Sequence, residues 1–160
     1  MRLVAFATLA GLAAWPVAAQ SLSVAGLDGQ TLVFDNAQLT AMPQVQTSLR
    51  SKDGTTHIYR GPALSGLLQA VGAPAGEALR GRDMADVVMV SGKDGYRVAF
   101  GLAETDPSIR NGTIIVAVTE DGQSLDDKDG PLRLVVEGDA RAARSVRMVV
   151  AVTLLRPEAK

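Results

Sequence analysis

Five Asp-Gly dipeptides cut this chain into short apolar runs, and no other feature limits its fold as strongly. They are Asp28-Gly29, Asp53-Gly54, Asp94-Gly95, Asp121-Gly122 and Asp129-Gly130. Such a pair favours a turn in which glycine, and often the aspartate, takes positive φ, and between apolar runs that turn makes a hairpin. Residues 22–27 and 30–34 read as one hairpin, 45–50 and 55–60 as a second, and 86–91 and 96–101 as a third around Lys93-Asp94-Gly95. Residues 113–119, 132–137 and 145–155 are further strands, rich in Val and Ile. The strands differ in length and pattern, so the turns do not mark a sequence repeat.

Helix signals are fewer. Residues 62–72 open on Pro62, close on Gly72 and place Leu64, Leu67, Leu68 and Val71 at helical spacing, a stripe that belongs to a core. Asp35 with Gln38 three residues on reads as a capping box for a short turn ending before Pro43. Residues 73–82, with Pro74, Gly76 and Gly81, read as a surface loop. The fold class is α+β: a strand-rich single domain with one or two short helices.

Residues 1–19 read as a cleavable signal peptide: Arg2 as positive n-region, an apolar run from Leu3 to Val17, and Val17-Ala18-Ala19 before Gln20. That run is shorter than the roughly 20 residues of a membrane span. Residues 20–160 are then the exported domain, soluble and without direct membrane insertion, and export without a cysteine points to a bacterial periplasm. Its stability rests on packing alone.

Composition removes much of the usual chemistry. With 16 Lys+Arg against 17 Asp+Glu, the chain lacks the basic excess of a nucleic-acid binder. No cysteine means no disulfide, thiolate ligand or thiol nucleophile, and the single His57 excludes a Cys/His metal site. His57 lies in the strand pattern of residues 55–59, with no Gly-x-Ser-x-Gly turn, dinucleotide fingerprint or phosphate loop anywhere. The acidic run from Asp126 to Gly130 lacks the ligand series of an EF-hand and reads as a solvated turn. No catalytic constellation and no metal site is visible.

The most unusual local chemistry is cationic. Arg133, Arg141, Arg144 and Arg147 stand against Glu137 and Asp139 in a chain of net charge −1. Arginine forks suit a carboxylate, a phosphate or a flat heterocycle with acceptors on its edge. Equally, charges at a strand edge discourage aggregation, and spacing alone leaves both readings open.

The order of several further elements resembles the molybdopterin-binding domain of the sulfite-oxidase-like superfamily. They are Tyr59-Arg60-Gly61-Pro62-Ala63-Leu64 with Leu67-Leu68, Asp94-Gly95-Tyr96, residues 121–125, Gly130-Pro131-Leu132-Arg133 and Arg144-Ser145-Val146-Arg147. The resemblance covers most of residues 20–160 and implies the sulfite-oxidase-like fold. It carries a pterin-binding role onto Arg144, Ser145 and Arg147, and a place in the site onto Tyr96. Arg141 and His57 are candidates by loop and strand position.

Three departures qualify what it implies. The enzymes hold molybdenum through a cysteine, expected here around Ser48–Leu49, and neither residue replaces a soft thiolate. Glu137 stands where they carry proline, and the loop before Arg144 is a residue longer. The chain therefore resembles the small cysteine-free members, which implies a non-catalytic periplasmic receptor. Its ligand would be a pterin without molybdenum, and its partner the periplasmic domain of an inner-membrane protein that makes or degrades cyclic di-GMP. The alternatives are a molybdenum-cofactor oxidoreductase subunit and an interaction module without a small ligand.

Overall fold

The computed structural model describes residues 21–158 except Asp127. The signal peptide expected at residues 1–19 lies outside the described residues. No described helix is long and apolar enough to cross a membrane.

The three hairpins form where the turns put them. Strands β1 (Leu22–Ala25) and β2 (Thr31–Phe34) pair across Asp28-Gly29, β3 (Gln44–Arg50) and β4 (Thr56–Pro62) across Asp53-Gly54, and β5 (Val87–Gly92) and β6 (Arg97–Gly101) across Asp94-Gly95. In each turn the aspartate Oδ1 accepts the backbone N–H two residues on, at 2.9–3.0 Å, an Asx turn that fixes the register. Helix α1 (Asn36–Ala41) begins in the expected capping box: Asp35 accepts from Gln38 N and Gln38 accepts from Asp35 N.

Elsewhere the boundaries move for identifiable reasons. Helix α2 is Leu64–Ala70, because Pro62 completes the β3–β4 ladder instead of opening the helix. The expected strand at 113–119 divides into β7 (Ile114–Ala117) and β8 (Thr119–Glu120), and β8 turns back into β9 (Gln123–Ser124). Residues 73–82 are not purely a surface loop: Ala73 and Leu79 pack into the core, and 3₁₀ turns occupy Gly76–Ala78 and Gly81–Ala85. The strand expected to start at 145 starts at 149 (β11, Val149–Leu155), after Met148 adopts φ 47°.

Five strands form one sheet in the order β2-β1-β11-β5-β6, with β1 parallel to β11 and every other pair antiparallel. Its Leu22, Val24, Val88, Val90, Val152 and Leu154 pack with Leu64, Leu67 and Leu68 of α2 in the main core. A second sheet, β3-β4-β8-β9, stands apart, and between the two lies the pair β7–β10, with β10 spanning Arg133–Val136. Both strands of that pair are buried at every position. Side chains alternate across a strand, so Ile114, Val116, Leu134 and Val136 join the main core. Ile115, Ala117 and Val135 join a second core with Leu49, Tyr59 and Leu125. Burial on both faces explains why these strands read as unbroken apolar runs.

Candidate functional site

Above the second core opens a cleft of about 950 Å³. The end of β3 and its turn supply Leu49 to Asp53, the β5–β6 turn supplies Asp94 and Tyr96, and residues 140–143 with Ser145 and Arg147 supply the facing wall. Arg133 also lines it. Five cations (Arg50, Lys52, Arg133, Arg141, Arg147) face two carboxylates (Asp53, Asp94), so the cleft is positive in a chain of net charge −1.

Arg133 is reached by the alternation of β10: it follows Val135 onto the second-core face and is 7% exposed. A guanidinium so deep needs partners. Its Nη1 donates to the Tyr59 hydroxyl at 3.0 Å and to Asp129, and its Cζ lies 5.2 Å from the Tyr59 ring centroid. Burial, then the hydrogen bond to Glu120, pushes the Tyr59 phenol well above its ordinary pKa, so it stays protonated and donates to Glu120 Oε1 at 2.8 Å. Asp129 also takes Arg147 Nε at 2.7 Å. The acidic run is therefore not a solvated turn throughout: the Asp129 carboxylate is largely enclosed and holds two arginines of the cleft.

Among the described residues, Arg133 Nε and Ser145 Oγ are buried without a hydrogen-bond partner, as are Thr47 Oγ1 and Arg110 Nη1, which lie outside the lining. A buried donor left without an acceptor costs about 1–3 kcal/mol, more for a charged group; both atoms lie behind the cleft surface, which Arg133 and Ser145 line through other atoms.

Of the residues expected at a site, Tyr96, Arg141, Ser145 and Arg147 come together in this cleft. Tyr96 is half exposed, and its hydroxyl donates to the Ala143 carbonyl at 2.8 Å, tying the β5–β6 turn to the opposite wall. Arg144 and His57 are not in the lining. Asp139 grips the Arg144 guanidinium through two hydrogen bonds of 2.9 and 2.7 Å, Glu104 takes a third at 3.1 Å, and Phe100 lies beneath at 4.8 Å. The Asp139 bond raises the arginine's pKa and holds the carboxyl below its ordinary range. Arg144 is thus the strut of the loop that carries Ala143 and Ser145.

His57 pairs with Leu49 across β3–β4, but its Nδ1 faces Asp121 at 2.7 Å and Glu120 at 3.2 Å. The hydrogen bond to Asp121 raises its pKa.

Sequence reasoning missed Arg50 and Lys52 as lining residues, and Arg133 as more than one member of a cationic run. Alternation from Leu132 to Val136 could have shown that Arg133 shares a face with Val135. Glu137, the departure from proline, is also engaged: its carboxylate accepts Thr113 N at 2.8 Å and its carbonyl accepts Arg110 Nη2 at 2.7 Å. Of Ser48 and Leu49, around which the resemblance expects a metal-ligating thiolate, Leu49 lines the cleft.

A family model described as the oxidoreductase molybdopterin binding domain matches residues 46–160. Among solved structures, the sulfane dehydrogenase SoxCD from Paracoccus pantotrophus superposes with a TM-score of 0.66 at 20% identity. The superposition covers 86% of this chain but 38% of that one, so the chain spans about two fifths of its structural neighbour, and what they share is the fold. No curated protein matches by sequence.

Proposed function

The chain belongs to the oxidoreductase molybdopterin binding domain family, and from that premise we propose that it is a non-catalytic receptor for a pterin bound in the cleft. One observation carries this reading: Arg133, Arg141 and Arg147 line one cleft with the half-exposed Tyr96 ring. A pterin is flat, with donors and acceptors along its edge. Its edge suits the Arg141 and Arg147 guanidinium groups of the wall, and its face suits the half-exposed Tyr96 ring. A cleft of about 950 Å³ lies within the usual range for small-molecule sites.

The donor set does not fit molybdenum. Among the described residues the cleft lining offers two carboxylates and no sulfur or imidazole, and Leu49, of the pair Ser48–Leu49 around which the thiolate is expected, is apolar. The reading continues as the resemblance implies: export to the periplasm, and a membrane-bound partner that makes or degrades cyclic di-GMP. The ligand acts on that partner only through a difference in its affinity for the partner-competent and incompetent forms. The wall of residues 140–145, pinned by Tyr96 and Arg144, is the element a cleft ligand would bias.

The test is to purify the protein from cells, release small molecules with acid and examine them by fluorescence and mass spectrometry beside a molybdenum assay. We expect a pterin and background molybdenum. Titrated with that pterin, Arg141→Ala and Arg147→Ala bind about tenfold more weakly, as for one lost hydrogen bond. Stoichiometric molybdenum would restore the oxidoreductase, and no pterin after attempted loading would leave an interaction module.

A further inference from the structure

On the second sheet, outside the cleft lining, three metal-binding side chains converge: His57 of β4, Glu120 of β8 and Asp121 of the following turn. We propose that they form a binding site for one divalent transition-metal ion of the zinc class. One atom from each lies within 4.8 Å of the other two. His57 Nδ1 is 2.7 Å from Asp121 Oδ2 and 3.2 Å from Glu120 Oε1. Ligands about 2.0–2.2 Å from a tetrahedral zinc lie about 3.3 Å apart, so small movements admit the ion. A neutral imidazole with two carboxylates carries charge −2, which a dication cancels.

The framework that holds these ligands is fixed before any ion arrives. β8 pairs with β4 so that Glu120 stands opposite Tyr59, and Asp121 and Gly122 take φ 48° and 79°, the two left-handed positions of a type I′ hairpin turn. That turn places Asp121 Oδ1 on the Ile58 N–H at 2.8 Å while Oδ2 faces the imidazole. The Tyr59 hydroxyl orients Glu120 from beneath, the kind of outer hydrogen bond that tunes a metal ligand. The Asp121 side chain is 52% exposed, which leaves a solvent side for water in the fourth position. The imidazole distinguishes this cluster from an all-carboxylate one: nitrogen favours zinc over calcium and magnesium, which prefer oxygen alone.

The site is independent of the pterin reading, and its test can fail separately. The full chain, stripped by a chelator, is titrated with Zn²⁺ against a chromophoric zinc indicator, with Ca²⁺ and Mg²⁺ in parallel. One equivalent of zinc is expected, undisplaced by excess Ca²⁺ or Mg²⁺. His57→Ala and Glu120→Gln weaken it at least about tenfold, while far-UV circular dichroism is unchanged and Ser145→Ala binds zinc as the parent does. Glu120→Gln is used beside His57→Ala because it leaves the Asp121 turn intact. Failure to compete with the indicator, or parental affinity in both variants, overturns the site and leaves an imidazole–carboxylate ion pair.

Discussion

At the scale of single residues, the Arg144–Asp139 pair shows how a charged group expected in a site can instead build one. Asp139 forms an ion pair with Arg144 only while ionised, and its folded-state pKa is depressed chiefly by the Arg144 hydrogen bonds. The stability it adds is present above the ordinary aspartate pKa of about 3.9 and is lost as pH falls through the lower folded value. In urea melts at neutral pH, Asp139→Asn should cost about 1–2 kcal/mol, since Arg144 is partly solvated and screened. Below about pH 4 the parent should lose stability faster than the variant, so that the two converge. Equal slopes from pH 7 to 3 would remove the pair from the stability of that loop.

Elements make their demands through close approach. Where β4 passes β7, a Cβ on Gly61 would meet the Val116 carbonyl oxygen at 2.0 Å, backbone that cannot step aside. Gly66, inside α2, has nothing within 4 Å of the corresponding point. The same substitution therefore has opposite signs: Gly61→Ala costs about 3 kcal/mol or more, and Gly66→Ala gains about 0.5–1 kcal/mol by helix propensity. Urea midpoints of the two variants decide this.

At this scale much was legible in advance. The three hairpins and the Asp35 cap are local, and local hydrogen bonds of aspartate and glutamine write them into the sequence. The pairing of β1 with β11 is not local, and no residue of either strand advertises it. Nor did spacing reveal that Arg144 turns to Asp139 and Glu104 while Arg133 enters the cleft, because that outcome depends on side chains brought in from distant elements. What the motif order did carry was the family and the neighbourhood of the cleft, as Tyr96, Ser145 and Arg147 show.

For the whole molecule, β7–β10 divides the interior into a part that supports the fold and a part that supports the cleft. Leu134 and Val135 are adjacent and both fully buried, yet they face different cores. Leu134→Ala should cost about 2–5 kcal/mol while leaving cleft affinity for a pterin nearly unchanged. Val135→Ala should cost less, on the order of 2 kcal/mol, but weaken pterin affinity more, since Val135 shares its core with Tyr59, on which Arg133 rests. Calorimetric melts and pterin titrations of the pair would separate the two interiors. Equal effects on affinity would show that they act as one.

The strand order of the large sheet also sets a timetable. β11, the last described strand to be synthesised, occupies the middle position, with β1–β2 on one side and β5–β6 on the other. Until it has been made, those hairpins have no common neighbour, and each keeps an open backbone edge that only β11 closes. Completion of this sheet consequently waits for β11, is governed by non-local pairing and is slow by nature. A sheet whose central strand comes last stays unlatched for as long as that strand is missing.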